Sequence, residues 1–177
     1  MSDSRSASAL SGEVPAGPAV VSIEDRSVMF RDHVAEQIAE GHEVSFAWVI
    51  DADGKLTWLE MPGLDGHTQR WTVKQAAASA AAVMVCHALE VWYTDLELGD
   101  LRQPQADAAI ERGELHKLPY VKEAVQIYEE SSAGLLVHRA QILREESASR
   151  LAPWVPLKVI LPRPNFRRYL AEKRSCA

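Results

Sequence analysis

Cysteine is scarce in this chain, and the motifs that place it in metal sites or disulfide frameworks are missing. Only Cys86 and Cys176 occur among the 177 residues, and neither has a neighbouring ligand at a metal-type spacing. A disulfide framework and a metal site built on cysteine are therefore not expected. The His-x-Glu and Pro-Cys-x-x-Cys motifs that bind zinc in nucleobase deaminases are also absent, which excludes that class of enzyme.

Long apolar runs, targeting segments and nucleotide-binding motifs are missing as well. The charge-free stretch Ala76–Leu89 has 14 residues, whereas a membrane-spanning helix needs about 20. The N-terminus has no apolar segment after its first charges, so no secretory signal is expected and the predicted location is the cytoplasm. No P-loop and no Gly-x-Ser-x-Gly nucleophile elbow exist. The sequence therefore predicts no membrane contact, no cofactor and no catalytic residue.

The overall composition is that of an ordinary globular domain. Hydrophobic residues make up 47% of the chain and charged residues 25%, as in soluble proteins, and the length suits a single domain. Residues 1–19 are rich in Ser, Ala, Gly and Pro and predict a disordered tail. Residues 20–162 are expected to form one α+β domain, and residues 163–177 a basic C-terminal segment.

The basic C-terminal segment stands out against an acidic body. The net charge is −6, yet Arg167 and Arg168 lie among further cations between residues 163 and 174, where the only acidic residue is Glu172. One interpretation makes Arg167 and Arg168 a contact for nucleic acid or for an acidic protein. The preferred interpretation is a solvated terminal helix whose cations pair with the acidic body.

The stretch 71–96 is the element around which the rest of the prediction is organised. Thr72 and Gln75 fit a capping box, an alanine-rich run follows, and small or apolar residues keep helical spacing as far as Cys86-His87. This pattern predicts a buried helix that begins at Thr72, with a core cysteine and a histidine near its end. The β-branched and aromatic residues of Leu89–Asp95 then predict a strand.

Flanking elements complete the predicted fold. Ser22 is expected to cap a first helix that has an apolar stripe and ends at Gly41. Residues 43–61 and residues 123–144 each predict a hairpin, with a short helix before Gly113. Residues 157–161 lie between two prolines and predict a short edge strand. The order is α-β-β-α-β-α-β-β-(β)-α. We therefore expect a two-layer α+β sandwich, in which two long helices cover one face of a largely antiparallel or mixed sheet of about five strands.

The first hairpin predicts an interaction surface. Around the turn Asp51-Ala-Asp-Gly54, a register that pairs Trp48 with Leu59 places the large apolar residues of the first strand on the core face. In this register Val49, Leu56 and Trp58 lie together on the outer face. A patch of exposed apolar residues centred on a tryptophan is typical of a protein contact. Val49, Leu56 and Trp58 are therefore predicted to mediate self-association or binding to a partner protein.

Titratable residues offer an alternative function. The carboxylates of Asp95, Glu97 and Asp100 and those of Glu129 and Glu130 could hold a divalent cation if their strands pair, which would suit a metal-dependent hydrolase or nuclease.

Two histidines are further candidates. His67, in a loop, and His138, on an apolar strand face, could serve a site, but each fits an ordinary structural role better.

The preferred function is a non-catalytic binding or accessory protein that acts through protein–protein contacts. The alternation Glu90-Val-Trp92 after an alanine-rich helix, followed by Glu123-Ala-Val and Gly134, is similar to small bacterial or phage proteins, and this similarity implies no activity.

Overall fold

The first helix, α1, forms where the sequence predicts it. The computed structural model describes residues 22–94, 103–145, 148–158 and 169–170, and α1 spans Ile23–Ala39. The Ser22 hydroxyl accepts a hydrogen bond from the Asp25 backbone N–H at 3.1 Å, which satisfies one donor of the first turn. Phe30, Val34 and Ile38 form the buried stripe. The chain then leaves the helix at Gly41, which has the positive φ of +79° that favours glycine at this position.

Within the described ranges, seven strands and two further helices follow α1, and the predicted order of the first eight elements is confirmed. The strands form one strongly curled antiparallel sheet in the order β2-β1-β3-β4-β5-β6, and β7 also pairs with β5. The elements are β1 Ser45–Ile50, β2 Leu56–Glu60, α2 Gly66–Ser79, β3 Met84–Tyr93, α3 Gln103–Glu111, a 3-10 turn Leu115–Lys117, β4 Lys122–Ser131, β5 Gly134–Arg144, β6 Ser149–Leu151 and β7 Val155–Leu157.

The register of the first hairpin differs by one residue from the prediction. Trp48 pairs with Trp58 rather than with Leu59. The loop has three residues instead of four, because the Asp51 N–H donates to the Lys55 carbonyl at 3.1 Å. Gly54, with φ +79°, supplies the left-handed residue that three-residue hairpin loops use. The shift places Trp58 on the same face of the sheet as Trp48.

The central helix begins and ends earlier than predicted. Asp65, not Thr72, is the N-cap, and its carboxylate accepts from the backbone N–H groups of His67 and Thr68. The Thr72 hydroxyl donates to the Thr68 carbonyl within the helix, so the predicted capping box does not form. The segment 84–88, predicted as the end of the helix, is instead the first half of β3, and the strand predicted to begin at Leu89 continues it.

The turn after helix α2 contains a residue with an unfavourable backbone conformation. Ala81 has φ +47° in the two-residue turn that leads toward β3. This left-handed conformation costs an L-residue with a side chain about 1 kcal/mol or more in conformational free energy. Ala81→Gly is therefore expected to raise the free energy of unfolding by about 1 kcal/mol in chemical denaturation. Ala78→Gly, inside α2, is the matched control and should lower it by about 0.5–1 kcal/mol. A loss of stability in Ala81→Gly would contradict the role assigned to this turn.

The two long helices lie on opposite faces of the sheet, which corrects the predicted two-layer arrangement. On one face, α1 packs over the even-numbered residues of β1, such as Phe46 and Trp48. On the other face, α2 places Val73 and Ala77 against Ala47 and Val49. Every residue of β1 is buried, so this strand needs a cover on both sides.

The C-terminal half follows the predicted second hairpin closely. Strands β4 and β5 pair around residues 131–134, with Val125 opposite Ala140. Strand β7 pairs with β5 from Val137 to Arg139 and includes only Leu157 of the edge strand predicted at 157–161. Residues 159–161 lie outside the described ranges. The predicted terminal helix contains two described residues, Tyr169 and Leu170, which are not helical. Its other residues, including Arg167 and Arg168, lie outside the described ranges. Within the described ranges, no helix combines the length and the apolar character that membrane crossing requires.

Candidate functional site

The predicted outer face of the first hairpin does not exist as one surface. Val49 is fully buried beneath α2, whereas Leu56 packs at the edge of the core on the α1 side. Only Trp58 is exposed, with 42% of its surface accessible. The grouping of Val49 with Leu56 and Trp58 was wrong because the one-residue register shift turns Leu56 and Trp58 to the face of Trp48, away from Val49.

Trp58 instead belongs to an aromatic cluster that reaches the surface beside α1. Its ring centroid lies 4.7 Å from that of His33 and 5.5 Å from that of Phe46. Met29, one helical turn before His33, is 47% exposed. We call Met29, His33 and Trp58 the Trp58 surface. Two apolar side chains thus stand exposed on either side of a histidine at the rim of the sheet.

The Trp58 surface borders a sheet edge. Among the residues that the structure describes, β2 pairs only with β1. The Met61 N–H donates to the Ser45 carbonyl at 2.8 Å, and antiparallel pairing alternates between bonded and non-bonded positions. The backbone N–H and C=O groups of Leu56, Trp58 and Glu60 therefore point away from β1. This row of donors and acceptors is a template for another strand.

The carboxylates predicted to converge on a metal do not do so where they can be observed. Glu129 and Glu130 are neighbours on β4 and project to opposite faces of the sheet. Glu129 lies on the α1 side. The Glu130 carboxylate accepts from the backbone N–H of Tyr169 at 2.6 Å on the α2 side. Asp95, Glu97 and Asp100 lie outside the described residues. The part of the chain that is described contains no group of three potential metal ligands.

A cavity of about 450 Å³ lies between the N-terminal half of α1 and the ends of β3, β4 and β5. Met84 forms a buried part of its wall, and the exposed side chains of Ile23, Val28 and Leu136 line it nearer the surface. The polar side chains that line it are those of Glu24, Ser27, Arg31, Glu129, Ser131 and His138. The volume is within the range of small-molecule sites, about 300–1,000 Å³.

Glu129 is the most unusual side chain in this cavity. It is only 4% exposed, and neither carboxylate oxygen has a hydrogen-bond partner among the described residues. Arg31 Nη1 is 3.9 Å and His138 Nδ1 3.6 Å from its Oε2 atom, and His138 Nδ1 is likewise without a hydrogen bond in the described structure. Burial raises the pKa of Glu129, and the Arg31 charge opposes this rise only in part.

The surroundings of Glu129 also affect its neighbours. Burial lowers the pKa of His138, and the Arg31 charge lowers it further, so this histidine is neutral at neutral pH.

A buried carboxylate without hydrogen bonds, such as that of Glu129, lowers the stability of the fold. Such a group in a cleft is a marker of functional sites. The sequence contains a signal for the burial of Glu129, because Val125, Ile127 and Glu129 alternate along the strand and therefore share the face that the first two make apolar.

His87 lies in the core on the opposite face of the sheet and has a structural role. Its Nδ1 atom is 2.6 Å from the Tyr169 hydroxyl and its Nε2 atom 3.3 Å from Gln69 Oε1. Burial lowers the pKa of His87 to about 3, and the charge of Arg70 adds to this effect. His87 was predicted near a helix end beside Cys86. On β3 the two side chains instead project to opposite faces.

The remaining predicted candidate, His67, lies in the first turn of α2 rather than in a loop. Its backbone N–H donates to the capping carboxylate of Asp65 at 2.9 Å, and its side chain is exposed. His67 and His138 are on different elements, and no shared site brings them together within the described structure.

Comparison with known proteins gives no relative from which a function could be transferred. No protein-family model, no curated protein and no solved structure matches the chain.

Proposed function

We propose that the protein is a non-catalytic binding protein that acts through protein–protein contacts, and that its contact site is the outer edge of β2 with the Trp58 surface. The observation that carries this proposal is the exposed Trp58 at the centre of an edge strand whose alternate backbone groups point outward. Peptide strands bind to such edges by adding to the sheet. Exposed tryptophans are typical anchor residues of protein interfaces.

The occupant that we propose is β2 of a second copy of the chain. A two-fold axis at Trp58 would place Leu56 of one copy opposite Glu60 of the other, with the two tryptophans facing each other. The outward N–H and C=O groups of the three residues would then pair reciprocally, as in an isologous interface. Side-chain contacts between directly opposite aromatic residues add to such pairing.

Self-association is tested by light scattering combined with size-exclusion chromatography. We expect the wild type to form a dimer and Glu60→Pro to shift it to a monomer, because proline removes one outward N–H group. That N–H group is not used in pairing with β1, and edge strands tolerate proline at such positions. Trp58→Ser should weaken the dimer at least about tenfold, the loss expected for an anchor residue.

Two variants serve as matched controls for this experiment. Glu60→Ala removes the same charge but keeps the N–H group, so its dimer should persist. Trp71→Ser removes a tryptophan that is 59% exposed on α2 and should leave association unchanged. A wild type that is monomeric at its highest soluble concentration, or a dimer that survives Glu60→Pro, would show that this edge is not the contact site.

The role of residues 163–177 and the cellular location of the protein are proposed from the sequence alone. We keep the cytoplasm as the proposed location, and we keep Arg167 and Arg168 as secondary partner contacts on the basic end, whose described residue Tyr169 is buried rather than solvated.

A further inference from the structure

We propose that the cavity beneath α1 binds a small primary amine with an apolar body, held by Glu129. This inference is independent of the proposed self-association, because the cavity and the β2 edge use different residues. Three features of the cavity carry it: acceptor atoms without partners, a net negative lining, and apolar walls of suitable size.

The acceptor atoms match the donor pattern of an ammonium group. Both oxygens of Glu129 and the Nδ1 atom of His138 are buried without hydrogen bonds in the described part of the molecule. An ammonium group has three donors and no acceptor, so one such group can satisfy all three atoms when His138 carries its proton on Nε2. Hydrogen bonds between charged groups are about twice as strong as neutral ones. A neutral amide or alcohol offers fewer donors and no charge.

The charge of the lining favours a cation. Glu24 and Glu129 face one guanidinium, that of Arg31, and His138 is neutral. Arg31 does not satisfy Glu129, since its nearest nitrogen is 3.9 Å from Oε2 and thus beyond hydrogen-bond distance. A monovalent cation placed beside Glu129 would balance the lining charges.

The apolar walls of the cavity indicate that the ligand has an apolar body beside its amino group. Met84 near Glu129 and the side chains of Ile23, Val28 and Leu136 nearer the surface offer hydrocarbon contact along the cavity. An alkyl or aromatic body would be buried there while its amino group reaches Glu129. Simple amines and apolar amino acids share this chemistry, and the second class adds a carboxylate that Arg31 could bind.

Calorimetric titration with n-hexylamine, leucine and n-hexanol tests the proposal. We expect saturable one-site binding of hexylamine, of leucine or of both, and binding of hexanol at least about tenfold weaker, equivalent to about 1.4 kcal/mol. Hexylamine as the tighter ligand identifies simple amines as the natural class. Leucine as the tighter ligand, with an affinity that falls in Arg31→Gln, identifies amino acids.

Variants of the cavity separate a specific contact from a general charge effect. Glu129→Gln should weaken the amine at least about tenfold, the loss expected for a charge-assisted hydrogen bond. Glu24→Gln removes an exposed carboxylate of the same lining and should change the affinity by no more than about twofold. Val28→Trp, which narrows the cavity from its exposed side, should also weaken binding.

Folding defects do not obscure this test. Burial disfavours the charged form of Glu129, so Glu129→Gln is expected to melt at the same temperature as the wild type or higher. Equal affinity for hexanol and hexylamine would overturn the proposal. So would unchanged amine binding in Glu129→Gln, or a wild type that binds neither hexylamine nor leucine.

Discussion

The free energy of unfolding is expected to fall steeply as the pH drops below about 6.5, because His87 must stay neutral in the core. Its pKa is 6.5 as an unperturbed group and about 3 in the folded protein. The unfolded chain therefore binds a proton that the folded chain does not, and stability present above pH 6.5 is lost as the pH falls toward 3. From pH 6.5 to about pH 4 the loss from this residue is about 3 kcal/mol.

Urea denaturation of the wild type and of His87→Gln at a series of pH values checks this expectation. The variant is less stable at neutral pH, since the contacts with Tyr169 and Gln69 change, but its profile should be flatter between pH 4 and about 6.5. His138→Gln provides the comparison for a histidine whose pKa is lowered less. Parallel profiles for the wild type and His87→Gln would mean that His87 titrates normally in the folded protein.

The second large effect is expected at Phe30, the side chain on which the α1 side of the core is built. Phe30 is completely buried, and its ring lies 5.5 Å from Phe46 and 5.1 Å from Trp48 in edge-to-face contacts. Phe30→Ala should lower the free energy of unfolding by about 3–5 kcal/mol, because a large cavity would remain between α1 and β1. Proteins of this size are stable by only about 5–15 kcal/mol.

Val28→Ala controls for the loss of apolar surface on the same helix. Val28 is half-exposed, so its truncation should change the free energy of unfolding by about 0.5 kcal/mol or less. Guanidinium denaturation followed by tryptophan fluorescence measures both variants. A loss below about 1 kcal/mol in Phe30→Ala would mean that α1 is not packed on β1 as described.

Elements with strong local signals could be predicted from the sequence. The cap at Ser22, the stripe through Phe30 and the glycine at residue 41 are local features, and α1 was correctly predicted from them. The second hairpin was predicted for the same reason, since Gly134 and the alternation on each side specify the turn. In these segments local preference and tertiary packing favour the same structure.

The central region could not be predicted because its local signals are ambiguous. Residues 84–88 are buried on both faces of the sheet, so they show the continuous apolar pattern that buried strands share with buried helices. Helix α2 ends at Ser79 with neither glycine nor proline to mark the end. The register of the first hairpin was predicted wrongly for a different reason. The prediction grouped the large side chains of the first strand on one face and gave this more weight than Gly54, which favours a three-residue loop. That choice placed Leu56 and Trp58 on the face of Val49, whereas they lie on the face of Trp48, and it produced the wrong contact surface.

The candidate sites depend on contacts between distant parts of the chain. Glu129 was considered as a metal ligand together with Glu130 and the carboxylates that follow the third strand, because strand pairing could bring some of them together. Strand alternation separates Glu129 from Glu130, and the partners of Glu129 come from α1 and β5, far apart in sequence. Without the strand order, Arg31 and His138 could not be assigned to the same cavity. Trp58 was identified correctly as an exposed residue, although its predicted neighbours were wrong.

The pairing of Tyr169 with the sheet has a consequence for synthesis of the chain. The Tyr169 hydroxyl contacts His87, which lies 82 positions earlier in the sequence, and the Tyr169 backbone N–H donates to Glu130, which lies 39 positions earlier. A nascent chain emerging from the ribosome would have all the strands described here available before it acquires this tyrosine. Until then the α2 side of the core would lack the group that covers His87. The α2 side of the core would therefore stay incompletely covered until residue 169 has emerged, and its apolar residues would be exposed for that time.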